Sequence, residues 1–152
     1  MKLQHLCRPE VETITIGTFM SGSDCIRCAF GEAKRVFCKH FQLDFRYHFV
    51  FACECDEVCQ NFIRGQKDRP DYVFRNASEM SSSHAWDVLS NDWVIVPHVR
   101  FLIVSVECGT VSSNNRVGRI VSPISTATGT TGTTFNLFYM YIEKHTPDVI
   151  LL

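Results

Sequence analysis

Three groups of residues carry side chains suited to chemistry. The first is the turn Met20-Ser21-Gly22-Ser23-Asp24. Gly22 has no Cβ, so the backbone can approach a ligand closely there. The second is Glu54, in the run Cys53-Glu54-Cys55-Asp56. A carboxylate closing a strand can accept hydrogen bonds from both hydroxyls of a ribose. A glycine turn followed by such a carboxylate serves dinucleotide and S-adenosylmethionine sites alike. The absence of Gly-x-Gly-x-x-Gly argues against a nicotinamide cofactor. The same residues also read as an ordinary turn and a solvated strand end. The third is Cys108, in Val106-Glu107-Cys108-Gly109-Thr110-Val111-Ser112-Ser113. A thiolate is a strong nucleophile and can form a covalent intermediate. The alternative is a buried, inert thiol.

Other constellations carry less. Cys25, Cys28, Cys38 and His40 have zinc-ligand chemistry, but all four fall on one predicted helix over more than three turns. They cannot converge tetrahedrally, so no metal is expected. Cys25 and Cys28 read either as helix-packing thiols or as a redox pair at a helix start. Trp86 and Trp93 read as packing residues, and His84, His98 and His145 as surface histidines. The Ser/Thr/Gly tract from Ser122 to Thr134 has backbone amides that suit phosphate, or is simply a flexible loop.

The elements that must position these residues follow from the pattern of apolar side chains. Glu12 to Thr18 predicts a strand leading into the turn. Asp24 suits the cap of the helix that follows. Ile26, Phe30, Ala33, Phe37 and Phe41 form one apolar stripe along that helix. Tyr47 to Cys53 predicts a buried strand, Glu57 to Gly65 a helix and Asp71 to Phe74 a third strand. After a polar loop over Asn76 to Ser83, a short helix is expected at His84 to Asn91. Val99 to Val106 is the most strand-like segment. A long polar segment from Glu107 to Gly132 precedes a helix around Phe135 to Ile142 and a final strand at Asp148 to Leu152. Alternating strands and helices predict an α/β fold, with a largely parallel sheet and helices on both faces. In such sheets ligands bind beyond the carboxyl ends of the strands, where the turn, Glu54 and Cys108 all fall.

Composition bounds the function. The chain has 152 residues, enough for one core, and 45% of them are hydrophobic. Its net charge of −1 is not that of a DNA-binding surface, so phosphate contacts are expected elsewhere or on a partner. Met1 to Glu10 lacks the apolar centre of a signal peptide, and no apolar run reaches membrane-spanning length. The eight cysteines are accordingly read as reduced thiols of a cytoplasmic or nuclear protein that is not secreted.

The order of these features resembles the catalytic domain of the DNA (cytosine-5)-methyltransferases. It is closest to divergent members from algae and other protists, whose nucleophile motif reads roughly Cys-x-x-Val-Ser. Here that motif is Cys108-Gly109-Thr110-Val111-Ser112, followed by a helix start at Gly132-Thr133-Thr134-Phe135. The resemblance runs from about Thr13 to Leu152. It implies a Rossmann-like S-adenosylmethionine-dependent methyltransferase fold and a single partial catalytic domain over residues 1–152, its cofactor-binding half. Met20, Ser21, Gly22, Ser23 and Asp24 would contact the methionine end of S-adenosylmethionine. Glu54 would hold the ribose, Cys55 and Asp56 would flank the adenine, and Asn76 would lie by the adenine amine. Cys108 would attack C6 of a flipped-out cytosine in DNA, activating C5 for methylation.

Departures from the family pattern are specific. Met20 replaces a phenylalanine, Asp24 a glycine, Asn76 an aspartate and Glu107 a proline. A carboxylate beside the nucleophile disfavours its thiolate. The family's Glu-Asn-Val motif, expected after Leu152, does not occur, so the domain is expected to be incomplete at its C-terminus and the isolated chain inactive. A nuclear location follows if the source is a eukaryote. The other readings are a non-catalytic S-adenosylmethionine-binding or protein-interaction module and a tRNA cytosine-5 methyltransferase.

Overall fold

The computed structural model describes residues 12–20, 22–105 and 129–152. The described elements are β1 (Thr13–Phe19), α1 (Ile26–Phe41), β2 (Arg46–Cys53), α2 (Glu57–Arg64) and β3 (Tyr72–Phe74), then β4 (His84–Asp87), β5 (Asp92–Ile95), β6 (Phe101–Val104), α3 (Gly129–His145) and β7 (Val149–Leu151). All seven strands form one sheet in the order β5-β4-β3-β2-β1-β6-β7. The β1–β2, β1–β6, β2–β3 and β6–β7 pairings are parallel. The β3–β4 and β4–β5 pairings are antiparallel. The fold is therefore α/β with a mixed sheet, its parallel part edged by an antiparallel hairpin. The chain runs outward from β1 to β3 and later returns to the opposite side of β1 as β6. That reversal opens a crevice above the ends of β1 and β6, where open sheets bind ligands.

Side-chain alternation assigns the helices to opposite faces. Ile26 and Phe30 of α1 pack with Ile16, Phe49 and Ile103. Ile63 of α2 packs with Ala52 and Val73. On the other face Phe138 and Tyr141 of α3 meet Phe19, Phe51, Phe74 and Leu102. A register step keeps β2 in phase with both. Ile16 faces Phe49 while Gly17 faces Phe51, so Val50 is an extra residue. The Phe51 ring lies across Gly17, and a methyl group there would overlap it. Tyr141 is fully buried, tilted against Phe19 at 5.1 Å, and donates its hydroxyl to the Pro97 carbonyl at 3.1 Å. Burial pushes its phenol pKa well up. Each such aromatic buried contributes roughly 1.5–3 kcal/mol.

Two sequence expectations are corrected here. His84 to Asn91 is not a helix but the first arm and turn of the β4–β5 hairpin. Asp87, 1% exposed, organises that turn. Its Oδ1 accepts the N–H of Val73 at 2.8 Å and of Leu89 at 3.1 Å, and its Oδ2 accepts the N–H of Ser90 at 2.9 Å and its hydroxyl at 2.7 Å. Asn91 then takes the left-handed conformation, φ 57°, that closes the turn. Trp86 and Trp93 face each other across the hairpin edge-to-face at 5.9 Å.

Asp24 does not cap α1. The residue at the cap position is Cys25, without a side-chain cap bond. Asp24 instead has φ 57° and pairs through Oδ2 with Arg27 Nε at 2.7 Å, both side chains buried. The apolar stripe of α1 is covered only in its first half. Phe37 and Phe41 remain 41% and 61% exposed, because the sheet ends beneath Phe30. At the far edge, β7 exposes Val149, Ile150 and Leu151.

Candidate functional site

The carboxyl ends of four strands are laced together by backbone bonds just beyond the regular ladder. The Met20 N–H donates to Cys53 O at 2.8 Å, that of Glu54 to Phe74 O at 2.9 Å, and that of Ser105 to Phe19 O at 3.0 Å. The turn after β1 is tightly wound on this platform. Met20, Gly22 and Asp24 all have positive φ, at 55°, 60° and 57°. Glycine adopts this conformation freely, whereas Met20 and Asp24 are held in it by their surroundings.

Glu54 joins the turn to β2. Glu54 is 7% exposed, and backbone amides hold its carboxylate. Oε2 accepts the Gly22 N–H at 2.8 Å and Oε1 the Asp56 N–H at 3.0 Å. Gln60 fixes the backbone below, its Nε2 donating to the Glu54 carbonyl at 2.6 Å. A carboxylate offers about four acceptor positions, so roughly one per oxygen remains for a ligand. A Cβ built on Gly22 would meet nothing within 4 Å, so the space beside the turn is open.

Next to Glu54 an open groove of about 420 Å³ is lined by Cys55, Gln60, Asn76, Trp86 and Val88, among others. Cys55 and Asn76, which follow different strands, thus line the same groove. Asn76 Oδ1 accepts both the N–H and the hydroxyl of Ser78 at 2.9 Å. A backbone N–H can only donate, which fixes the amide orientation and leaves Nδ2 as the donor Asn76 can offer. Asp56 caps α2, its Oδ1 accepting the Cys59 N–H at 2.9 Å. That hydrogen bond holds the Asp56 carboxyl below the usual range.

The cysteines divide by environment. Cys53 is 1% exposed in the core, and burial, then the Glu54 charge, pushes its thiol pKa up. Cys55 is exposed at the groove, and its thiol is also raised, by partial burial and then by Glu54. Cys25, Cys28 and Cys38 are exposed, so Cys25 and Cys28 do not serve as helix-packing thiols. No group of three or more metal-ligating side chains occurs among the described residues. Ser21 and Cys108 lie outside the described residues, so the turn is seen on either side of Ser21 and β6 is followed only as far as Ser105.

Two features were missed in the sequence. Arg75 lies over Trp86 at 4.9 Å and pairs with Glu79 at 3.1 Å. Arg75 and Glu79 are opposite charges close in the chain, which is the local signal for this pair. His145 is half-buried rather than on the surface. It stacks on Tyr141 at 4.5 Å, and its Nε2 donates to the Met80 carbonyl at 3.1 Å. Desolvation lowers its pKa. Nothing in the local sequence signals this, since Met80 is distant in the chain.

No helix among the described residues is long and apolar enough to cross a membrane. No family model matches the chain. It is 23% identical over 139 residues to the DNA (cytosine-5-)-methyltransferase DMT5 of Cryptococcus neoformans var. grubii, a match covering 91% of this chain. The chain spans about 6% of that protein's length. This likeness supports a distant relationship to a cytosine-5 methyltransferase.

Proposed function

We propose that the chain is the cofactor-binding half of a cytosine-5 methyltransferase catalytic domain. In this reading it is Rossmann-like and binds S-adenosylmethionine in the crevice above β1, β2 and β3. The observation that carries the reading is the Glu54 carboxylate, fixed by the amides of Gly22 and Asp56 with acceptor positions to spare. The distant likeness to a methyltransferase over 91% of the chain supports the same class.

The residues present fit the ligand. Glu54 suits the two ribose hydroxyls, and the open space beside Gly22 suits the methionine end, together with Met20, Ser21, Ser23 and the Asp24 backbone. The groove walled by Cys55 and Asn76 suits a flat base. Asp56 fixes the start of α2 and so the rim of that groove. Asn76 would donate to an acceptor nitrogen of the ring rather than accept from an amine. The bound cofactor would supply an electrophilic methyl group on a sulfonium. Cys108 is the proposed nucleophile toward C6 of a cytosine in DNA. The charge of −1 assigns most phosphate contacts to other parts of a longer protein, and a nuclear setting agrees with this substrate.

Two experiments test the reading. Calorimetric titration with S-adenosylmethionine and with its demethylated product is expected to show saturable 1:1 binding; no heat with either overturns the cofactor site. Incubation with a 5-fluorocytosine oligonucleotide and S-adenosylmethionine tests the nucleophile. A covalent adduct lost in Cys108→Ser supports it, whereas cofactor binding without an adduct favours a non-catalytic S-adenosylmethionine-binding module.

A further inference from the structure

The first turn of α1 carries a pair of thiols that the proposed methyl transfer does not use. Cys25 occupies the cap position with φ −56° and ψ −20°, and its carbonyl accepts the Cys28 N–H at 3.0 Å and the Ala29 N–H at 3.3 Å. The i to i+3 bond gives the turn 3₁₀ character, which brings side chains i and i+3 into line. Helical geometry of this kind separates the two Cα atoms by about 5–6 Å. Disulfides usually span Cα distances of about 4.4–6.8 Å. Both cysteines are exposed, so neither serves as core packing and both are open to reagents.

The turn is also held firmly. Arg27, between the two thiols, points inward to Asp24 and ties the turn to the segment before β3 through the Asp68 carbonyl at 2.6 Å and the Gln66 amide oxygen. The Ser23 hydroxyl lies 2.8 Å from Cys25 Sγ.

We propose that Cys25 and Cys28 form a reversible intramolecular disulfide by exchange with a low-molecular-weight disulfide such as oxidised glutathione. The Cys25 thiol gives its proton to solvent, and its sulfur attacks the glutathione disulfide. One S–S bond breaks, one glutathione thiolate leaves, and a mixed disulfide forms on Cys25. Cys28, deprotonated in turn, attacks the Cys25 sulfur and releases the second glutathione. Two protein thiols are oxidised by two electrons, and one glutathione disulfide is reduced to two thiols. The Ser23 hydroxyl can donate to the Cys25 sulfur once its proton has left. The reaction requires only this dithiol, with or without a ligand beside Gly22.

The test equilibrates the full chain with mixtures of reduced and oxidised glutathione, quenches with acid, alkylates the remaining thiols and maps the peptides by mass. The expected product is a Cys25–Cys28 link without attached glutathione, reversed by excess reduced glutathione. Cys28→Ser, lacking the resolving thiol, is expected to hold glutathione on Cys25 at about ten times the parent's occupancy. The proposal is overturned if both cysteines stay free, if each carries glutathione, or if either links to another cysteine such as Cys55. The parent's own peptide map decides these outcomes even if the variant fails to fold.

Discussion

Glu54→Gln separates the two roles of the carboxylate. The side chain keeps its size and one acceptor oxygen, but an NH2 group replaces the other oxygen. In the parent the two oxygens face two donors, the N–H groups of Gly22 and Asp56. Whichever way the amide turns, its NH2 opposes one of them. A buried donor left without an acceptor costs roughly 1–3 kcal/mol. For a chain of this size each kcal/mol moves the melting temperature by roughly 2–4 °C. A fall of about 2–12 °C is therefore expected in a thermal melt, before any ligand is added. Ribose binding suffers separately. A hydrogen bond to a charged acceptor contributes about 1.5–3 kcal/mol and a neutral one about 0.5–1.5. Losing charge assistance over two hydroxyls amounts to about 2 kcal/mol, or roughly thirtyfold weaker binding. Calorimetry with S-adenosylmethionine on parent and variant at one temperature reads this directly. Equal affinity in a folded variant refutes the ribose role of Glu54, whereas an unchanged melting temperature refutes the strut role alone.

Further outcomes follow from groups elsewhere in the fold. Asp24→Ala leaves the buried Arg27 guanidinium without its carboxylate, 2.7 Å away in the parent, and is expected to cost about 3–5 kcal/mol in urea unfolding. Gly17→Ala drives a methyl group into the Phe51 ring and is expected to cost about 1–3 kcal/mol in the same assay. His145 has a folded pKa below its unfolded value, so the unfolded chain binds the proton first as pH falls. Its stabilising contribution is present above pH about 6.5 and declines as pH falls from there toward the folded value. His145→Gln is expected to flatten that part of the stability profile; an unchanged slope rejects the assignment. Cys53 is expected to resist alkylation in native buffer while Cys25, Cys28 and Cys38 react, the difference vanishing in denaturant.

The elements legible in the sequence are those whose own residues determine them. β1, β2 and α2 follow from runs of apolar side chains with clear turn signals, and Glu54 is visible as the charge that ends such a run. The β4–β5 hairpin was less accessible. His84 to Asn91 suits a short helix on local pattern, and the decisive contact is Asp87 holding the N–H of Val73 on a neighbouring strand. The stripe on α1 shows which side of the helix is apolar but not how far the sheet extends under it, so exposed Phe37 and Phe41 look the same in sequence as packed Phe30. Asp24 before a helix fits a cap by residue type. Its partner Arg27 is close in sequence, but the acceptors that bury Arg27, Gln66 and Asp68, are not.

The guanidinium of Arg27 has a wider consequence. One planar group holds the segment that precedes α1, at Asp24, and the segment that precedes β3, at Asp68, which are distant in the chain. Neither can shift without pulling on the other. Shortening or loosening the stretch around Gln66 to Asp68 is therefore expected to be felt at Gly22, although nothing in that stretch touches the crevice.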